Sequence, residues 1–309
     1  MSKSHLSSKR SFAYALLLLN TILWGLSPPI IKVALNFVSI NQFLLGRYLL
    51  ASLIFLPIYL LTRKKSPSII TKLPSITTNN YKLLILLALL GTPLTLIPLY
   101  EGIKLTSSIE SSILSATGPL LIIIGGRIFL HEKITQNEKI GLIIALIGTL
   151  LLALGPLVID GPGFKISLLG NLLILGSNLI WTAFLLLVKK LKVDASQISL
   201  VSYLTAIPVF LLLMLLEPSK ILNSSILNLN STAIFGIAYM ALAGSIIAFW
   251  AYTKGQEYIE AGEAAIFTYL QPLITFPLAY FWLHENISSV GLAACLLIAA
   301  GVYVSEYHG

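Results

Sequence analysis

The sequence predicts an all-α integral membrane protein with ten transmembrane helices arranged as two inverted five-helix repeats. Three observations lead there. Of the 309 residues, 57% are hydrophobic and only 10% charged, with a mean hydropathy of +0.91. Soluble domains carry about 25% charged residues, so ionised side chains are too few here to cover a water-facing surface. The apolar residues also form long unbroken runs, and the second half of the chain repeats the first.

A membrane-crossing helix needs roughly 20 apolar residues to span ~30 Å of hydrocarbon. Ten runs meet that length in order. The first, 12–34, carries Asn20, Trp24 and Ser27-Pro28-Pro29, and is too long for a signal-peptide core, so no cleavable leader is expected. The second, 40–62, holds Arg47 about a turn and a half from its start; the third, 82–100, contains Thr92-Pro93 and leads into Tyr100-Glu101. Glu110, Thr117 and Gly118-Pro119 lie in the fourth, 107–130, and a Gly-containing fifth follows at 138–157. The sixth, 167–189, has Asn178 and Trp181, and the seventh is 196–217. Tyr239 and Gly244-Ser245 belong to the eighth, 232–254; Glu263, Tyr269 and Gln271-Pro272 to the ninth, 262–283; and the lone cysteine, Cys295, to the tenth, 289–306. Continuous runs without the ten-residue alternation of barrel strands select helices. Residues 1–11 form a leading segment, 12–160 and 161–306 the two repeats, and 307–309 a tail.

A net charge of +8 raises the question of a nucleic-acid partner, and its distribution answers it. With the N-terminus cytoplasmic, fifteen of the twenty Lys and Arg residues fall on the inner side, including the Arg63-Lys64-Lys65 cluster. That bias places both termini in the cytoplasm. No compact basic patch with interleaved aromatics is left for nucleic acid. The cluster at 63–65 suits anionic membrane lipid.

The repeat is visible residue by residue. At an offset of 153, Gly91, Gly102, Glu110 and Pro119 fall on Gly244, Gly255, Glu263 and Pro272, and both copies end on Leu-His-Glu. Offsets of 155 and 157 bring Gln42, Tyr48 and Ala51 onto Gln197, Tyr203 and Ala206, then Trp24 and Lys32 onto Trp181 and Lys189. Five helices per copy is an odd number, so the second copy enters the membrane from the opposite side. Inverted repeats of this kind place a binding site near the midplane, where interrupted helices meet.

The segments "WGLSPPIIK", "QFLLGRYLLASLIFLP", "ATGPLLIIIGGRIFLHEKIT" and "TYLQPLITFPLAYFWLHENIS" resemble the EamA-type exporters of the drug/metabolite transporter superfamily, over roughly residues 12–306. The resemblance implies a bacterial inner-membrane carrier of small metabolites, and a central cavity walled by the first, third, fourth, sixth, eighth and ninth helices.

Depth ranks the site candidates. Trp24 and Trp181 fall near mid-span at equivalent positions, which favours a cavity face over lipid. Asn20 and Asn178, one turn earlier, suit either the cavity or a helix–helix hydrogen bond. Pro28, Pro93, Pro119 and Pro272 interrupt helices and point to kinking and gating before direct ligation. Thr117 and Gln271 beside the breaks are polar ligand candidates, and Tyr100, Tyr239 and Tyr269 offer rings and hydroxyls. Arg47 can grip a substrate carboxylate as a fork or pair with Glu101 or Glu110; the pair is the favoured reading. With no mid-span carboxylate, coupling falls to Glu101, Glu110 or Glu263, and the central aromatics and amides suit a neutral or zwitterionic substrate.

A membrane hydrolase is the main rival class. His131 and His284 are not followed by the second His of a zincin motif, and inverted topology separates them by ~30 Å or more, so no shared metal and no cofactor is expected. The sequence reading is a non-enzymatic exporter of amino acids or related compounds by alternating access, as a monomer or homodimer. An uncoupled facilitator, a channel-like permease and a multidrug exporter of the same fold stay open.

Overall fold

Leu- and Ile-rich runs form helices here because a helix satisfies every backbone N–H and C=O within itself, which an apolar medium demands. The computed structural model describes residues 3–65, 81–115, 117–131, 135–158, 168–216, 230–259, 264, 267–285 and 289–306, and all regular elements among them are helical. Among the described residues, seven stretches are long and apolar enough to cross a membrane: Lys9–Ala34, Ile40–Thr62, Tyr81–Leu105, Ser108–Leu130, Leu168–Lys190, Ala195–Leu215 and Ser231–Gly255.

In chain order the helices are α1 (Lys3–Gly25), α2 (Ser27–Ala34), α3 (Ile40–Lys65), α4 (Tyr81–Gly91), α5 (Pro93–Leu105), α6 (Ser108–Ser115) and α7 (Gly118–Gly125), the last running into a π turn at Gly126–Leu130. Then come α8 (Gln136–Val158), α9 (Leu168–Lys190), α10 (Ala195–Leu215) and α11 (Ser231–Tyr239). A π-helical stretch, Met240–Phe249, leads into α12 (Trp250–Gly255). A 3₁₀ turn at Phe267–Leu270 precedes α13 (Gln271–Leu283), and α14 (Ser289–Glu306) closes the bundle. Helix α1 starts at Lys3, ahead of the apolar run, because extending a nucleated helix costs little.

Local chemistry sets the helix ends. Ser39 and Gln42 form a reciprocal capping box at the start of α3, and Asp194 accepts from the Gln197 N–H at the start of α10. These positions are related by the 155 offset. His131 and His284, related by 153, both adopt left-handed backbone (φ 58° and 53°) and end their helices. Histidine is among the few non-glycine residues enriched in that conformation.

Packing puts polar groups inside. Asn20, Ser111, Ser199 and Thr275 are wholly buried, whereas Leu53 and Phe281 lie 72% and 76% exposed, as an apolar solvent permits. Helix α9 lies on α5 and α4, α10 on α3 and α4, α1 on α12 and the π stretch, and α13 on α6. Helices α8 and α14 pair mainly with each other, away from the centre. Their backbones approach closely: a Cβ on Gly301 would stand 2.5 Å from the Gly141 carbonyl oxygen.

Candidate substrate-binding cavity

Four proline-initiated helices surround the bundle centre. Pro28, Pro93, Pro119 and Pro272 each occupy the first or second position of a new helix, α2, α5, α7 and α13. Proline has no N–H to donate, so it is tolerated there, and the preceding helix ends just before it. The segment repeat-related to the third span has no proline at its break. It is interrupted instead by the π stretch, an i→i+5 device common at functional sites.

These interruptions border a cavity of about 1100 Å³, its open side included. Trp24, Pro28, Tyr100, Asn178, Trp181 and Gln271 stand on its wall, together with Arg47. So do Tyr48 of α3 and Tyr203 of α10, so the second and seventh spans add to the six-helix wall that the resemblance implies.

Aromatic rings dominate one side. Trp24 meets Trp181 edge-on at 5.8 Å between centroids and stacks on Tyr252 at 5.6 Å. Trp181 continues the contact onto Phe184 and Phe249 at 5.1 and 5.9 Å. The Trp24 indole N–H donates to the Gly244 carbonyl at 3.0 Å, in the middle of the π stretch. The Tyr252 hydroxyl is buried with no hydrogen-bond partner among the described residues.

Polar groups face this cluster. Arg47, 5% exposed, donates from Nε to Ser245 Oγ and from Nη1 to the Tyr100 hydroxyl, both at 2.8 Å. Its guanidinium carbon lies 5.0 Å from the Tyr48 ring centre. Tyr203 donates to the Ser245 carbonyl. Asn178 donates to the Leu114 carbonyl at 2.9 Å and to Thr117 Oγ1 at 2.8 Å, tying α9 across the break between α6 and α7.

Several expectations need correction. Arg47 does not pair with Glu101 or Glu110; its partners are hydroxyls. Glu110 is taken by the helix end, where it and Ser107 form a capping box at the start of α6. Glu101 is half-buried on α5. Asn20, Thr117 and Tyr239 stand behind the cavity wall: the Asn20 amide donates to the Ala248 carbonyl at 2.9 Å, and the Tyr239 hydroxyl to the Leu23 carbonyl at 2.7 Å. For both, the helix–helix hydrogen bond has absorbed the polar group. Tyr269 lies in the 3₁₀ turn with its side chain outside the described residues, as is the whole of Glu263. Sequence reasoning did not single out Tyr48, Thr95, Ser177, Phe249 or Tyr252 for the wall. Tyr48 and Tyr203 were available as an aligned pair; the others carry no distinguishing signal.

Charge ties three helices together at one end of the bundle. The Glu285 carboxylate accepts from the Ser108 and Ile109 N–H groups at 3.0 and 3.1 Å, at the start of α6, and lies 3.3 Å from Lys32 Nζ. Lys32 also donates to the Thr106 carbonyl. At equivalent positions Lys189 donates to the Ile259 carbonyl at 3.1 Å. The second Leu-His-Glu thus ends α13 with its histidine and joins α2, α6 and α13 with its glutamate.

Comparison with known proteins agrees with this architecture. A "Probable amino-acid metabolite efflux pump" of Salmonella typhimurium is 26% identical over 307 residues, covering 94% of each chain. A protein of the same name from Escherichia coli is 24% identical over 307 residues, again with 94% of each chain covered. Transporter YetK of Bacillus subtilis is 26% identical over 263 residues, 84% of this chain and 76% of that one. A solved crystal structure superposes with a TM-score of 0.66 at 16% identity, covering 97% of this chain and 96% of the other, which speaks to fold alone. The EamA-like transporter family matches twice, at residues 11–154 and 168–307, so this multi-pass membrane protein belongs to the EamA-like transporter family of the drug/metabolite transporter superfamily.

Proposed function

We propose that the protein exports small metabolites, amino acids and related neutral or zwitterionic compounds, across the bacterial inner membrane, both termini lying in the cytoplasm. Two inverted five-helix halves, 12–160 and 161–306, rock about the central cavity. The observation that carries this reading is a polar-aromatic cavity placed where proline-initiated and π-interrupted helices meet, the arrangement alternating access requires. The inverted repeat is supported by features that recur at fixed offsets: the caps at Ser39/Gln42 and Asp194/Gln197, the left-handed His131 and His284, and the Lys32 and Lys189 bonds to carbonyls. The names of the Salmonella and Escherichia relatives support the substrate class. In this cycle the Lys32–Glu285 cluster closes one face.

The test is counterflow in proteoliposomes against a panel of amino acids and their derivatives. A carrier shows saturable exchange, a channel shows none, and a scaffold moves nothing. Trp24→Ala and Trp181→Ala should each raise the half-saturating concentration about tenfold, since an aromatic contact and its burial are lost together. Unchanged affinity in both variants removes the cavity assignment.

A further inference from the structure

We infer that Arg47 is the carboxylate-recognition residue of the cavity, holding an anionic head group while the aromatic cluster takes the apolar part of the same molecule. The inference rests on the exporter reading above and sharpens its substrate class.

Arginine stays protonated in proteins, so a buried Arg47 places a fixed positive charge at the cavity wall. A charge inside a membrane span is costly and marks a functional site when no structural partner neutralises it. The groups surrounding this guanidinium are Tyr48, Tyr100, Tyr203 and Ser245, all uncharged acceptors, and no described carboxylate lies within ion-pair distance. Nε and Nη1 are used by Ser245 and Tyr100; Nη2 has no hydrogen-bond partner among the described residues. The two bonds fix the plane of the guanidinium, and the remaining edge is left for one oxygen of a ligand.

Geometry ties this charge to the ring cluster. The Arg47 and Trp24 side chains grip neighbouring residues of the π stretch, Arg47 on Ser245 and Trp24 on Gly244. A Cβ on Gly244 would stand 3.8 Å from Nη2 and 2.6 Å from the Met240 methyl, so the Met240 thioether fills the space over this glycine and, like Arg47, stands on the cavity wall. Arg47, Met240, Trp24, Trp181 and Tyr252 line the one cavity, so a ligand with its carboxylate on Nη2 has the aromatic cluster on the same wall for its apolar group. The ligand class is a small carboxylate bearing an apolar or aromatic side group, of which an amino acid is the simplest.

The purified full chain, in detergent without added anions, is to be melted against four organic probes: L-leucine, L-phenylalanine and the amide of each. In wild type the acids should stabilise at concentrations about tenfold below those of the amides, because a charge-assisted bond is present in one series only. Arg47→Gln should bring acid and amide together, with Arg47→Lys in between. Equal behaviour of acids and amides in wild type, including no effect from either, overturns the proposal whether or not the variants fold. So does discrimination that survives in Arg47→Gln, or chloride alone abolishing the acid effect, which would make the site one for an inorganic ion. Counterflow of the same probes separates the two readings. Acid discrimination without counterflow leaves Arg47 as the anion site and removes the exporter; counterflow indifferent to acid or amide does the reverse.

Discussion

Neutralising Glu285 should unlock one face of the protein. In Glu285→Gln the ion pair to Lys32 is lost; its side chains are 30% and 13% exposed, so it is screened and contributes about 0.2–1 kcal/mol. The anion at the start of α6 is lost too, at about 0.3–1 kcal/mol. Glutamine keeps one carbonyl oxygen for the Ser108 and Ile109 N–H groups, so one of two bonds weakens, about 1 kcal/mol. Together these amount to about 2 kcal/mol, or a roughly thirtyfold shift between states that differ by this latch. The assay replaces Cys295, the sole cysteine, with alanine and places a reporter at Ser115, on the cavity wall. An impermeant maleimide is then applied to vesicles of each orientation. Labelling from the latched face should rise by up to about thirtyfold. Glu257→Gln, which breaks only the partly exposed pair to Lys254, should leave it unchanged. A labelling rate in Glu285→Gln equal to that of the parent would refute the latch.

Four further outcomes are expected. Trp24→Phe keeps a ring against Trp181 but loses the bond to Gly244, and should lower detergent-melt stability by about 1 kcal/mol. Asn178→Leu removes both bonds across the α6–α7 break and should cost about 1–2 kcal/mol, with Thr117→Val costing less because the Leu114 bond remains; thermal unfolding reads both. Gly301→Leu drives a side chain into the Gly141 carbonyl and should lower the melting temperature far more than Leu296→Ala on the exposed side of the same helix. Asp194→Ala should lose about 1 kcal/mol through its cap.

The spans were legible because hydrophobic runs report a local constraint that lipid imposes on every stretch of chain. Proline breaks were legible for a similar reason, since the missing donor acts within its own helix. The π stretch was not: Met240–Phe249 carries Ser245 as its one polar side chain, and the groups that bond there, Trp24 at the Gly244 carbonyl and Arg47 at Ser245, come from other helices. The partners of Arg47 were misjudged on the same ground. Sequence supplies the carboxylates Glu101 and Glu110 at a matching depth, but a capping box at Ser107 is a short-range claim on Glu110 that a distant cation does not displace. Asn20 and Asn178 show where inference from symmetry stops. Each lies about one turn before its tryptophan, but the 157 offset puts Asn20 on Ser177 and Asn178 on Thr21, and one amide sits behind the cavity wall while the other is on it.

The twin lysine bonds, Lys32 to the Thr106 carbonyl and Lys189 to the Ile259 carbonyl, bear on thermodynamics as well as topology. On the inverted-repeat reading, the two bonds are like-placed in the two halves and are made at the same time, so neither by itself selects which face is open. Any bias between the two states must then come from positions where the copies differ, of which Arg47 opposite Ser202 is one.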